Sequence, residues 1–283
     1  MEVIETLSAT FDATEAARAK GGRVGFVPTM GAFHEGHRSL IRRAKADRDF
    51  VVVSTFVNPL QFGDPADLAA YPRDEERDLE LARSLGVDVV FAPPVEEMYP
   101  AGAPEATVDP GPVGERLEGA SRPGHFRGVA TVLAKLFHAA GPSAAYFGEK
   151  DAQQLAVVRR VVADLSFPVE VVVCPTVREA DGLAMSSRNA RLSPEQREAA
   201  GCLFLALSEA AELARSGERD AARLVAVMAR EIGATPPARL DYAVVVDDDT
   251  FEELRTVDPP ARAVVAARFG DVRLIDNLLL PTP

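Results

Sequence analysis

Two spacings of apolar residues alternate along the first half of the chain. Short runs rich in β-branched residues occur at Val24 to Val27, Phe50 to Val57, Val87 to Phe91, Ala144 to Phe147 and Val169 to Val173. Each is bounded by Gly, Pro or charged residues, the pattern of strands buried on both faces of a parallel sheet. Between them the apolar spacing becomes helical, over about Glu35 to Asp47, Arg73 to Leu85, Val129 to Ala140 and Asp151 to Leu165. Gly86 and Gly141 follow two of these segments as C-terminal stops.

This alternation predicts an α/β chain with a Rossmann-like doubly wound parallel sheet and helices on both faces. After Cys174 the pattern changes to a polar loop, a long Ala-rich helix from about Pro194 to Arg215 and a second helix from about Asp220 to Ile232. The runs Leu240 to Val246, Ala263 to Phe269 and Val272 to Leu280 then leave no room for crossover helices, so they should pair antiparallel. Residues 1–175 therefore read as the Rossmann-like binding domain, and residues 176–283 as a smaller α+β domain with helices and a small antiparallel sheet. Pro93 to Pro123, rich in Pro and Gly, reads as a long functional loop.

Composition narrows the chemistry. The 283 residues carry 31 Lys and Arg against 43 Asp and Glu, a formal net charge of -12. Such a surface repels nucleic acid and anionic lipid, so any phosphate chemistry must come from a local cluster of positive groups. The two cysteines, Cys174 and Cys202, are too few for a disulfide framework and lack a zinc spacing, and they read as reduced, buried thiols. The N-terminus lacks a basic start and a signal-length apolar core, and no window reaches eighteen apolar residues, which points to a soluble cytoplasmic protein.

The first predicted strand runs into Thr29-Met30-Gly31-Ala32-Phe33-His34-Glu35-Gly36-His37 before a helix begins. Open α/β sheets bind ligands at this position. His34 and His37 are spaced to share a face of the first helical turn, beside unpaired N–H groups and the positive end of the dipole, which suits an anionic phosphate. Gly31 frees the turn, and Gly36 leaves room for a flat ligand such as an adenine ring against the backbone. A metal pair and a surface pair with no role compete with this reading, but His-Glu-Gly-His lacks the metalloprotease spacing.

Three further clusters lie at predicted strand ends or loops. Asn58 and Gln61 would project into the same crevice, where neutral amides recognise hydroxyl and carboxylate oxygens. In Gly148-Glu149-Lys150-Asp151-Ala152-Gln153-Gln154, Lys150 is long enough to reach a phosphate and Gln154 follows on the same helical face; a solvated cap is the plainer reading. In Asp181 to Asn189, Ser186, Ser187 and Arg188 can clamp nucleotide phosphates, against the alternative of a polar linker. Arg122, His125 and Arg127 put three potentially cationic groups in one loop that has no acid of its own. The run Asp247-Asp248-Asp249 reads as a solvated turn rather than a metal site.

Five ordered motifs together resemble the pantoate:beta-alanine ligase (pantothenate synthetase) family. They are Pro28-Thr29-Met30-Gly31, Asn58-Pro59-Leu60-Gln61-Phe62, Gly124-His125-Phe126 with Gly128-Val129, Phe147-Gly148-Glu149-Lys150-Asp151 and Met185-Ser186-Ser187-Arg188-Asn189. The His34-Glu35-Gly36-His37 element alone resembles only the wider HxGH nucleotidyltransferase superfamily. The resemblance implies Mg-ATP-dependent condensation of pantoate with beta-alanine through a pantoyl adenylate, releasing AMP and pyrophosphate. It implies an ATP site of Met30, Gly31, Ala32, Phe33, His34, Glu35, Gly36, His37, Gly148, Glu149, Lys150, Asp151, Val177, Met185, Ser186, Ser187 and Arg188. His37, His34 and Lys150 would be catalytic; Gln61 and Gln154 would hold pantoate, with Gln61 also near beta-alanine.

No protein-held metal and no covalent enzyme intermediate are implied, the second domain would act as a lid, and the family is dimeric. Phe50 to Val57 and the late strands are candidates for the interface. Phe33 stands where the family usually has Leu, and Ala152 where it usually has an aromatic, so packing around the pocket is in question. An HxGH adenylyltransferase that stops at AMP transfer is the alternative; it would need another basic group in place of the neutral Asn58 and Gln61. A nucleotide-binding regulator without catalysis is a further one.

Overall fold

The computed structural model describes residues 1–258 and 260–281, without the Asp67 side chain. Pro259 and residues 282–283 of the second predicted domain lie outside the described residues. The chain divides into two compact units, Met1–Glu149 with Gln153–Cys174, and Lys150–Ala152 with Pro175–Pro283. No helix among the described residues is long and apolar enough to cross a membrane.

The first unit runs β1 (Glu2–Ile4), α1 (Leu7–Ala19), β2 (Val24–Thr29), α2 (Glu35–Asp47), β3 (Phe50–Thr55), α3 (Pro65–Ala69), α4 (Glu75–Ser84), β4 (Val89–Phe91), α5 (Val95–Met98), α6 (Glu118–Ser121), α7 (His125–Ala140), β5 (Ser143–Gly148), α8 (Ala152–Asp164) and β6 (Val169–Cys174). Only Ala152, the first residue of α8, falls in the second unit. The strands form one six-stranded sheet in the order β1-β4-β3-β2-β5-β6. Every neighbour pair is parallel. Successive strands move outward in one direction from β2 and in the other from β5, so the switch point lies between β2 and β5 and opens a crevice at their carboxyl ends.

Adjacent residues of each strand serve opposite faces. Phe26, Val52 and Ala145 pack with Leu133, Leu136 and Phe137 of α7 and Val158 of α8. Val27, Val51 and Val53 pack with Leu40, Ile41 and Ala44 of α2 and Ala82 of α4. Helices on both faces remove the polar alternation of a half-exposed strand, which is why these strands read as continuous apolar runs. Each fully buried large apolar side chain contributes about 1.5–3 kcal/mol.

Several expectations need correction. β1 and α1 were not foreseen, because β1 has three residues and the buried face of α1 is polar, formed by Thr10 and Thr14. Their hydroxyls donate to the carbonyls of Thr6 and Phe11, satisfying them inside the helix. Pro93 to Pro123 is not structureless; it contains α5, α6 and a 3-10 turn at Gly111–Gly114. The run from Phe50 to Val57 is not an interface strand within this unit: β3 pairs on both edges, and Val51, Val52 and Val53 are fully buried.

The second unit contains α9 (Pro194–Ala199), α10 (Cys202–Arg215), α11 (Ala221–Gly233), β7 (Ala238–Asp247), β8 (Ala261–Phe269) and β9 (Val272–Leu279). The strands form a separate antiparallel sheet in the order β7-β8-β9, and the tight turn between β8 and β9 leaves no room for a crossover. Leu203, Leu207, Leu224, Met228, Val265 and Phe269 join in its core. The predicted helix Pro194 to Arg215 is two helices: the ladder breaks at Ala200 and Gly201, a weak helix former. Cys174 and Cys202 are free and buried.

Candidate active site

The strand-to-helix turn is built from β2 outward. The Thr29 hydroxyl donates to the Ser54 carbonyl on the neighbouring strand at 2.6 Å and accepts the Gly31 N–H at 3.1 Å. Gly31 and Ala32 then adopt left-handed backbone, at φ +78° and +52°. For a non-glycine residue that conformation costs on the order of 1 kcal/mol or more. Asp78, 5 % exposed on α4, accepts the Ala32 N–H at 2.6 Å and the Phe33 N–H at 2.8 Å. A Cβ on Gly31 would stand 2.9 Å from Asp78 Oδ2, so glycine is required for space as well as for φ. Burial raises the Asp78 pKa against the lowering effect of the two N–H bonds.

His34 is the N-cap of α2. Its Nδ1 accepts the Gly36 N–H at 3.1 Å, and His37 Nδ1 accepts the His34 N–H at 3.4 Å. Two N–H groups expected to be open to a phosphate are therefore taken by the imidazoles themselves. With Nδ1 accepting, the hydrogen-bond pattern assigns the neutral-ring proton to Nε2, which makes each ring a donor away from the helix. The ring centroids lie 4.1 Å apart. Gly36 is needed for the ring itself: a Cβ there would lie 2.8 Å from His34 Cε1.

Phe33 is buried in the core beneath α2, and its ring lies 5.6 Å from that of His37. The unusual side chain thus supports an imidazole. Glu35 pairs with Arg38 and Arg42, and its pKa is lowered, first by the Arg42 hydrogen bond.

Gln61 ends a 3-10 turn, Pro59–Gln61, after β3. Asn58 does not join it as a recognition group. Asn58 is 1 % exposed; its Nδ2 donates to Gln61 Oε1 and the Gly128 carbonyl, both at 3.1 Å, and its Oδ1 accepts from the Tyr99 hydroxyl at 2.8 Å. Asn58 and Tyr99 thus set the Gln61 amide, whose Nε2 lies 2.9 Å from Met30 Sδ. Burial pushes the Tyr99 phenol well above its usual pKa.

The Gln61 carbonyl lies 2.9 Å from His125 Nδ1 and accepts from Arg122 Nη2 at 3.3 Å. These two residues therefore brace Gln61. Arg127 pairs with Asp109 at 2.8 Å, so an acid from an earlier segment meets the basic loop. A Cβ on Gly128 would approach the Leu60 carbonyl oxygen to 2.4 Å, so glycine lets α7 meet the turn.

Gly148 closes β5 at the switch point, and Glu149 follows it. Gln154 is half-buried on α8. Gln153 beside it is buried and was missed: its Oε1 accepts the Glu118 N–H at 3.0 Å, and its Nε2 donates to the carbonyls of Val113 and Arg116 at 2.9 and 2.8 Å. Its signal was only a second amide in a Gln-Gln pair.

In the second unit, Lys150 contacts Asp151 at 3.3 Å, and the Lys150 carbonyl accepts from Asn277 Nδ2 at 2.7 Å. Lys150, Ser186, Arg188, Asn189 and Arg273 line a small pocket together with Leu183, Ala184, Leu274 and Ile275. Three cations and no carboxylate face it. Arg273 was not foreseen, because nothing in the sequence of β9 distinguishes it from a surface arginine.

The loop that carries the serines is a hairpin: Met185 N–H donates to the Val177 carbonyl at 2.9 Å, and Gly182 turns it at φ +90°. Ser186 Oγ accepts the Arg188 N–H at 3.2 Å and caps the turn Ser187–Arg191. Arg197 ties the hairpin through Glu179 and Asp181, both at 2.5 Å, and lowers the Asp181 pKa. Arg178 pairs with the buried Asp276 at 2.6 Å.

Ala152 is buried at the start of α8. Asp248 in the acidic run is not simply solvated; it pairs with the buried Arg262 at 2.5 Å. No group of three or more His, Cys, Asp or Glu side chains suited to a metal occurs among the described residues.

The family model for pantoate-beta-alanine ligase matches residues 2–279. A pantothenate synthetase from Roseiflexus sp. (strain RS-1) is 54 % identical over 280 residues, covering 99 % of each chain. The crystal structure of pantothenate synthetase from Thermus thermophilus aligns over 100 % of both chains at 50 % identity, with a TM-score of 0.91. The pantoate-beta-alanine ligase of Francisella tularensis, complexed with beta-gamma ATP and beta-alanine, aligns over 100 % of this chain and 99 % of its own at 35 % identity, with a TM-score of 0.79. A chain matched over its whole length in motifs, fold and relatives alike belongs to the pantoate-beta-alanine ligase family.

Proposed function

We propose that the protein condenses pantoate with beta-alanine to pantothenate at the expense of Mg-ATP. In the first step a pantoate carboxylate oxygen attacks the α-phosphorus, the bond to the bridging oxygen breaks, and pyrophosphate leaves. In the second the beta-alanine nitrogen attacks the acyl carbon of the pantoyl adenylate, loses a proton, and AMP departs. The observation that carries this reading is the imidazole pair at the switch-point crevice, with both Nδ1 atoms held by backbone N–H groups. Donors fixed in advance stabilise the charge that builds on the phosphoryl oxygens without reorganising during the reaction.

In this reading His34, His37 and Lys150 are catalytic. Met30 to His37, Gly148 to Asp151, Val177 and Met185 to Arg188 bind ATP, with Arg188 and Lys150 offsetting the charge of departing pyrophosphate. Gln61 and Gln154 hold pantoate, and Gln61 also lies near beta-alanine. Mg²⁺ enters with the nucleotide, as part of the substrate. The second unit acts as a lid that keeps water from the acyl adenylate. The family resemblance adds a homodimer in the cytoplasm. The beta-alanine and ATP ligand named for the Francisella relative supports the substrate assignment.

ATP–pyrophosphate exchange measured with and without pantoate tests it. Exchange should require pantoate, and adding beta-alanine should give pantothenate and AMP in equal amounts. Pantoate-independent exchange, or no turnover with all three substrates, would sink the reading.

A further inference from the structure

Asp78 lies outside every motif that points to the site, yet it makes the closest side-chain contacts to the nucleotide turn. It is carried by α4, its carboxylate is nearly fully buried, and each oxygen takes one N–H of two consecutive residues, Ala32 at 2.6 Å and Phe33 at 2.8 Å. The turn they belong to is left-handed at Gly31 and at Ala32, a conformation that an alanine does not hold unaided. Directly after it come the N-cap His34 and the paired imidazoles of His34 and His37, tilted by 40° to one another.

We infer that Asp78 is a positioning residue for ATP, acting through the backbone of residues 31–33 to aim His34, His37 and the start of α2. This rests on the reading of residues 30–37 as part of the ATP site. An acid beneath a phosphate site is unfavourable as a charge, so its presence there calls for a geometric function. A carboxylate is the side chain that accepts at two oxygens at once; an amide accepts at one. The Gly31 position corroborates this, since a Cβ there would collide with Asp78 Oδ2. Asp78→Asn keeps the shape, leaves one of the two N–H groups without its acceptor, and turns an NH2 toward it. Because burial raises the Asp78 pKa, the neutral amide also relieves the cost of a buried charge, so the variant is expected to fold.

The test is steady-state ATP–pyrophosphate exchange on purified Asp78→Asn, with His37→Ala alongside. We expect the ATP KM to rise at least fivefold and kcat to fall at least tenfold, while the pantoate KM stays within twofold. A drop in kcat with both KM values unchanged would mean only a smaller active fraction, and it would overturn the inference. So would parameters within twofold of the parent. If His37→Ala is also unimpaired, it is the ATP-site reading that fails; an impaired His37→Ala beside a normal Asp78→Asn fails the Asp78 inference alone. Should Asp78→Asn not fold, amide exchange on the parent protein decides: Ala32 and Phe33 N–H groups exchanging at random-coil rates overturn the inference, and strong protection of both, lost selectively in Asp78→Glu, upholds it.

Discussion

His37 accepts the backbone N–H of His34 on its Nδ1 at 3.4 Å while the two rings lie 4.1 Å apart, so each imidazole is held by the backbone at the start of α2. The pair is at once a helix cap and a matched set of Nε2–H donors. Those two functions can be separated. His34→Asn keeps a capping side chain, for which Asn is among the best residues, and removes the ring. We expect thermal stability close to the parent and an adenylation rate lower by at least about a hundredfold, as removal of a preorganised donor worth about 3 to 4 kcal/mol implies. His37→Ala and Lys150→Ala should show comparable losses. Single-turnover adenylation near the parent rate would remove the affected residue from the mechanism.

Gly36 offers a second separation. An alanine there brings a Cβ to 2.8 Å from His34 Cε1, and the ring must swing off the helix end. Within a helix the change from Gly to Ala favours folding by about 1 kcal/mol, which offsets a weakened cap. Gly36→Ala should therefore unfold within a few degrees of the parent but exchange pyrophosphate at least tenfold more slowly. Full activity would show that the folded-back ring is not the working one.

Gln61 is braced from three directions, by Asn58, by His125 and by Arg122. Its truncation to Ala should raise the pantoate KM at least tenfold and leave the ATP KM unchanged. Tyr99→Phe, which takes the hydroxyl donor from Asn58 Oδ1, should give a smaller shift in the same direction and destabilise the fold by roughly 1–3 kcal/mol. A pantoate KM untouched by Gln61→Ala contradicts the placement.

The hairpin of the second unit supplies a pH test. Arg197 lowers the pKa of Asp181 below its ordinary 3.8. A carboxyl whose folded pKa is depressed stabilises the fold above its unfolded pKa and loses that contribution as the pH falls through the folded value. The urea midpoint of the parent should thus fall as the pH drops below about 3.8. Arg197→Met should start lower at neutral pH and show a flatter acid limb. Parallel acid limbs would mean that the pair is not coupled to folding.

The thiols titrate in the opposite sense. Burial pushes Cys202 from 9.0 up to about 11. A raised pKa favours the protonated, folded form, so this contribution is complete below pH 9.0 and is lost as the pH rises toward about 11. Cys202→Ala should lessen the alkaline decline of the urea midpoint. Iodoacetamide at pH 8 should leave the native protein unlabelled and modify Cys174 and Cys202 after unfolding.

The sequence by itself determined five of the six strands of the large sheet and the longer helices α2, α4, α7 and α8 around it. An apolar run of β-branched residues has one favourable fate in a chain that also supplies helices for both faces, and the tight turn between Phe269 and Val272 permits only antiparallel pairing of β8 with β9. His34, His37, Gln61, Lys150 and Ser186 to Arg188 stand out as candidates because strand ends and Gly-bounded turns mark where such folds bind ligands. Tertiary structure decided what those residues are held by. Asp78 reaches the Ala32 turn from another helix, Tyr99 and Gly128 set Gln61 from two distant segments, and Gln153 rather than its neighbour is the buried amide. It also made Asn58 a brace and gave Arg127 an acid partner. α1 stayed hidden because threonines fill its buried face, where hydroxyls bonded within the helix do the work of apolar groups. A buried polar side chain is chosen by the one or two atoms it must satisfy, and those atoms belong to other parts of the chain, so only the folded molecule names them.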